Sequence, residues 1–385
     1  MDALYRLMDH GAMIGDRVRT DAYARALHQA VKPGAVVVDI GTGTGILACL
    51  ACRAGAKTVY AIEPDDVSEV AREIARVNGL TDHIAFIQER STQVTLHEEA
   101  DVIVSDLGGV LPLFQHHLPS IVDARRRFLK HAGVLIPRRH VIWAAVADAP
   151  DLYEPYVAPW ERHHHDLDMR VARWIGTNDW RKCRAARGHV LLEPQRWATS
   201  DFATFEHANL AGTLTWSASR GGTAHGVILW FDADLSDGVG FSNEPGALEL
   251  IYGQAFFPWP DPVSLDVGDT VSVVLDATLV GDDYIWSWET CVREGGAAGR
   301  LKAEFHQSSF FAVPLSPAKV GRRAADHIPS LNDEGGLDQL ILGLLDAHVP
   351  LGSVADHVLA KFPTRFSSRA AAMSHVADLS VKYSQ

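Results

Sequence analysis

The sequence predicts a doubly wound α/β domain, then an all-β barrel interrupted by a helical arm, and a small helical module at the C-terminal end. Three observations predict it. Between residues 35 and 105, short continuous apolar runs alternate with helical runs, the pattern of a parallel sheet covered on both faces. After Pro137, short β-rich runs alternate with Gly, Asp and Pro turns at the spacing of an antiparallel barrel or sandwich. From about residue 322, three stretches carry apolar residues at helical spacing, separated by Pro and Gly.

Taken in order, the first strand is expected over residues 35–40, a Gly-rich turn over 41–45 and a helix over 46–53. A second strand (58–62), a helix (67–78) and two further strands (84–87 and 101–105) follow. The barrel should include strands at 141–146, 212–216, 226–231 and 270–275, with residues 153–174 as a partly helical excursion. The last module should hold helices over 337–345, 351–362 and 367–383. Expected divisions are an N-terminal helical cap (1–34), the α/β domain (35–137), the barrel (138–321) and the helical module (322–385).

Composition narrows the function classes. At 385 residues the chain exceeds the usual single-domain size, and its 47% hydrophobic and 22% charged residues are those of a globular protein. A net charge of −13 argues against nucleic acid as a partner. No apolar run reaches the ~18 residues a membrane span needs. Four scattered cysteines and the lack of a basic-then-apolar leader point to the cytoplasm. Cys49 and Cys52 form a Cys-x-x-Cys inside a helix, but no second Cys or His pair accompanies them, so two small buried residues are expected. His163, His164 and His165, followed by Asp166 and Asp168, invite a metal reading. Consecutive histidines point in different directions, so no metal is expected there.

The candidate site lies at the Gly-rich turn. Asp39 stands at the end of the first strand, and Gly41, Gly43 and Gly45 let the backbone turn sharply and approach a ligand. Such a turn serves a dinucleotide or S-adenosylmethionine (SAM). Glu63 closes the second strand, 22 residues after Gly41, where an acid accepts both ribose hydroxyls. That supports a nucleoside without naming it. Ser91, in the run 87–92 after the third strand, would lie beside the base.

The stretch His10-Gly11-Ala12-Met13-Ile14-Gly15-Asp16-Arg17, continuing to Tyr23, resembles the cofactor-capping helices of the protein arginine methyltransferase family. So do residues 38–47 (Val38-Asp39-Ile40-Gly41-Thr42-Gly43 onward) and 54–63, the barrel run 227–232, and 160–169, which is similar to the family's dimerisation arm. The resemblance covers about residues 5–315. It implies a class I Rossmann-like methyltransferase domain with SAM as cofactor, a β-barrel with a helical arm, and a ring-shaped homodimer. Carried across, His10 and Met13 would pack on the cofactor and Arg19 would pair with its carboxylate.

The acceptor side departs from that family. The family grips a guanidinium with two glutamates; Asp106 stands where the first belongs and Gln115 where the second does. In the barrel, Ile251 replaces the His of a Thr-His-Trp loop, while Asp16, the usual partner of that His, remains. Asp16 either helps grip the acceptor or caps a helix. The expected function is methyl transfer to a different acceptor, an amide, carboxylate or amine of a peptide, protein or small molecule. Competing readings are arginine methylation by a rebuilt site, or binding without catalysis. The C-terminal helices read as a peptide-recognition module or as a packing cap on the barrel.

Overall fold

The computed structural model describes residues 6–161 and 165–384. His163 and His164 lie outside the described residues. Among those described, no three or more His, Cys, Asp or Glu side chains cluster to hold a metal, and no helix is long and apolar enough to cross a membrane. The chain divides into two compact units, residues 1–314 and 315–385.

The first unit opens with α1 (Leu7–Gly15) and α2 (Arg17–Ala30). The Asp16 carboxylate accepts the Arg19 amide at 3.1 Å, the N-cap contact that starts α2. Ala22, Tyr23, Ala26 and Leu27 recur at helical spacing and are buried, whereas α1 buries no residue.

The α/β layer follows as β1 (Val36–Ile40), α3 (Ile46–Arg53), β2 (Thr58–Ile62), α4 (Val67–Val77), β3 (Ile84–Ile87), β4 (Ala100–Ser105), α5 (His117–Phe128) and β5 (Leu129–Ile136). Its five strands are parallel in the order β3-β2-β1-β4-β5. β1 is central and buried throughout, which its Val-Val-Val-Asp-Ile sequence requires. The chain winds outward from β1 in one direction and then returns to the other side with β4. That reversal opens a crevice at the carboxyl ends of β1 and β4, where ligands of such sheets bind. The expected helix over 67–78 stops one residue sooner, at Val77 with Asn78 as its cap. β5 was not anticipated, because Lys130 and His131 break its apolar run; as the last strand of the sheet it tolerates them. Cys49 and Cys52 lie on α3 with free thiols, and burial pushes the Cys52 pKa up to about 11.

Next come β6 (Arg139–Ala147), α6 (Pro150–Glu161), α7 (Arg170–Thr177), β7 (Arg181–Cys183), β8 (Gln195–Asp201), β9 (Leu210–Ser217), β10 (Gly222–Ser236), β11 (Val239–Ser242), β12 (Gln254–Leu265), β13 (Thr270–Val280), β14 (Asp283–Arg293) and β15 (Leu301–Ser308). The helical excursion expected inside the barrel is the pair α6 and α7. The barrel itself is open rather than closed. Its strands form two antiparallel sheets, β7-β12-β10-β6-β8 with β11 added to β10, and β15-β14-β13-β9. Trp216, Trp259, Trp286, Trp288 and Phe257 lie buried in the core with both sheets. β10 and β12 approach so closely at Gly226 that a Cβ there would lie 2.2 Å from the Phe257 carbonyl oxygen.

The segment between β11 and β12 carries the barrel's contribution to the site. Its base is fastened by Asn243, whose side-chain oxygen accepts the Phe231 amide at 2.7 Å, and by Gln254, which donates to the Asn243 carbonyl at 2.6 Å.

The second unit contains α8 (Pro317–Gly321), α9 (Asp333–Asp346), α10 (Leu351–Lys361) and α11 (Arg369–Tyr383). The last three pack around Leu337, Ile341, Val354, Val358 and Val376, with Asn332 and Ser368 as N-caps.

Candidate active site

At the carboxyl edge of β1 the three expected glycines each meet a different constraint. All have φ in the left-handed region, +71° at Gly41, +53° at Gly43 and +82° at Gly45. A Cβ on Gly41 would sit 2.2 Å from Leu107 Cδ2, and one on Gly43 would sit 3.1 Å from the His10 ring. Thus α1 crosses the turn through His10, and the loop after β4 covers it through Leu107. Burial lowers the His10 pKa, with Asp9 and Asp65 acting in the opposite sense.

Glu63 follows β2 and is buried. Its Oε2 accepts the Gly43 amide at 2.9 Å and its Oε1 the Asp65 amide at 3.1 Å. Burial raises its pKa; these two amides oppose the rise. Each carboxylate oxygen keeps a second lone pair for a hydroxyl donor. Asp39 is wholly buried, with Oδ2 accepting the Thr42 hydroxyl at 2.5 Å and Oδ1 left without a partner. Burial pushes its pKa up to about 7, against the Thr42 hydrogen bond. Ser91 is buried in a short 3-10 turn after β3, and its carbonyl accepts from Arg127 Nη2 at 2.6 Å. Bent glycines, an unpartnered buried carboxylate oxygen and a second acid on the neighbouring strand fit a nucleoside with a polar tail.

A second cluster lies beside the first. Arg19, on α2 and 5% exposed, donates its Nε–H to the Asp106 carboxylate and to the Tyr252 hydroxyl, the latter at 3.1 Å. Its Nη1 donates to the Met13 carbonyl at 3.1 Å, and its guanidinium lies 5.6 Å from the centre of the Tyr23 ring. The Tyr252 hydroxyl in turn donates to Asp106, lying 2.8 and 2.7 Å from its two oxygens. Tyr23 donates to the carbonyl of Ser105, one residue before Asp106, at 3.1 Å. Burial alone would lower the Arg19 pKa, but Asp106, with Tyr252 and Tyr23, raises it further than burial lowers it. Burial, then the Asp106 charge, raises Tyr252.

The structure therefore brings Arg19, Asp106 and the Met13 backbone together, and separately Glu63, Gly43 and His10. Asp16 is held by amides at both oxygens, Arg19 N–H at 3.1 Å and Ile251 N–H at 2.7 Å. Of its two sequence readings, the helix cap is the one whose contacts are present, and the same carboxylate ties the barrel loop to α2. Gln115 is half-buried with a left-handed backbone, φ 42°, at the end of the loop that folds Phe114 against Gly109. Tyr252 was not anticipated. Its only signal was a hydroxyl-bearing ring next to Ile251, where the resembling family has Trp, and nothing local reveals a partner 146 residues away in sequence.

The profile of the ribosomal protein L11 methyltransferase (PrmA) family matches residues 14–148. The "Probable protein arginine N-methyltransferase 6" of Arabidopsis thaliana is 32% identical over 236 residues, 59% of this chain and 54% of its own length. The "Probable protein arginine N-methyltransferase 6.1" of Oryza sativa subsp. indica is 41% identical over 153 residues, 39% of this chain and 40% of that one. This chain thus spans about half the length of the curated relatives it matches. Among solved structures, Arabidopsis thaliana protein arginine methyltransferase 10 superposes with a TM-score of 0.69 at 22% identity, covering 79% of this chain and 97% of the other. The Trypanosoma brucei PRMT1 enzyme–prozyme complex with AdoHcy gives 0.71 at 20% identity, covering 78% and 96%. These matches make the chain similar in sequence to protein arginine N-methyltransferases over part of their length, and the Gly-rich crevice, the open barrel and the helical arm belong to the fold of the superposed structures.

Proposed function

We propose that the protein is a SAM-dependent methyltransferase whose acceptor is not a free guanidinium but another nucleophile of a peptide, protein or small molecule. The observation that carries the reading is the pairing of Asp106 with Arg19 and Tyr252. Part of the acceptor capacity of Asp106 is already used by Arg19 and Tyr252, and Gln115 brings no second carboxylate to grip a guanidinium. Bound in the crevice, SAM supplies an electrophilic methyl group. Glu63 would hold the ribose and Arg19 the carboxylate tail; Gly41, Gly43 and His10 would enclose the middle of the cofactor. Methyl transfer of this kind asks the protein mainly for positioning and for exclusion of water.

Arginine methylation remains the second reading, favoured by the names of relatives 32–41% identical. One experiment separates them: tritium-labelled SAM, the purified protein and a lysate lacking it, beside an Arg-rich peptide. Label in lysate products other than methylarginine supports the first reading. Methylarginine in the peptide supports the second, and no label in either argues against catalysis.

We also propose a homodimer formed through the arm. Val171 and Trp174, on α7, are 80% and 54% exposed, a large apolar surface for one short helix. Light scattering should give a dimer for the intact chain and a monomer for Val171→Asp.

A further inference from the structure

We infer that Tyr252 is a positioning residue for the cofactor's amino-acid tail, acting through Arg19 and Asp106. This rests on the SAM reading above. An arginine that must grip a carboxylate from a buried site needs its planar fork held in one orientation. The Nε–H of Arg19 is taken by Asp106 and Tyr252 and one N–H of Nη1 by the Met13 carbonyl, which leaves the second N–H of Nη1 and both of Nη2 for an incoming anion. Tyr252 is the piece of this arrangement that belongs to the barrel. Its hydroxyl accepts from Arg19 and donates to Asp106, so one group fixes both members of the ion pair.

The ring is itself immobilised. Phe241 stacks on it with centroids 5.8 Å apart and an interplanar angle of 9°, and Phe231 meets it edge-on at 5.2 Å. One residue earlier, the Ile251 amide is tied to Asp16, the N-cap of the helix that carries Arg19. The barrel loop thus contacts α2 at two points, one at its start and one at the guanidinium.

Tyr252→Phe removes the hydroxyl and keeps the ring. Titration calorimetry with S-adenosylhomocysteine and with 5′-methylthioadenosine reads the effect, because the second ligand has the nucleoside and thioether but no carboxylate. The expected result is about a tenfold or greater loss of S-adenosylhomocysteine affinity, the size of one charge-assisted hydrogen bond, with methylthioadenosine affinity unchanged. Equal loss for both ligands, or no loss for either, overturns the inference. An intact protein that binds neither ligand overturns the SAM reading instead. Should the Phe variant fold poorly by circular dichroism, Tyr252→Met, an adaptable apolar side chain with no hydrogen-bond donor, gives the same comparison.

Discussion

At the scale of the residue, the site concentrates groups whose burial is unfavourable unless something compensates it. Asp106 and Arg19 compensate each other at 10% and 6% side-chain exposure. Asp106→Asn leaves the arginine charge buried and unpaired, a loss on the order of 3–5 kcal/mol. Urea unfolding should show it, with Gln115→Ala, at a half-buried loop position, changing stability far less. Asp39 has no such partner. Its folded pKa of about 7 lies above the unfolded value of 3.8, so the protonated form favours the fold, and stability is lost as pH rises through 7. Asp39→Asn should therefore melt higher than the intact protein at pH 8, with little difference at pH 4, while weakening S-adenosylhomocysteine binding. Gly43→Ala faces a left-handed φ and the His10 ring at 3.1 Å, and calorimetry should show at least tenfold weaker binding of the same ligand.

At the scale of the element, the junction between α5 and β6 is built from neutral imidazoles. His117 on α5 and His140 on β6 lie with ring centroids 6.1 Å apart, and Phe202 meets both edge-on. Neither nitrogen of His117 has a hydrogen bond. Burial lowers the His117 pKa to about 4 and that of His140 well below the usual value. The unfolded chain takes up these protons near pH 6.5 and the folded chain resists them, so stability falls as pH drops from 6.5 towards 4. Thermal melts at pH 7 and pH 5 should show a smaller difference for His117→Phe than for the intact chain. The three-dimensional placement of these histidines was illegible in sequence, because they sit 23 positions apart on elements of different layers. Of the elements around them, only β6 was legible, since its apolar run over 141–146 is a local signal, whereas α5 and β5 were not expected.

At the scale of the whole molecule, the two compact units each have a core of their own. A chain ending at Pro314 should therefore keep the S-adenosylhomocysteine affinity of the intact protein. If the last three helices recognise a peptide acceptor, the same truncation should raise the apparent substrate constant; if they only stabilise the barrel, the truncated chain should melt lower or precipitate.

The alternation of β1 to β4 with α3 and α4, the runs that become β6, β9, β10 and β13, the glycine bend with its two acids, and the helical module were determined by the sequence itself, because each is written in residues close together along the chain. Tertiary structure alone decided where the charges of the acceptor loop go. A tyrosine from the barrel, an arginine from the second helix and an aspartate after the fourth strand meet only once the layers have packed, and their hydrogen bonds join residues 87, 146 and 233 positions apart. The same holds for the opening of the barrel, since whether the last strands of two sheets pair depends on twist and on core volume, neither of which a local pattern of apolar residues specifies.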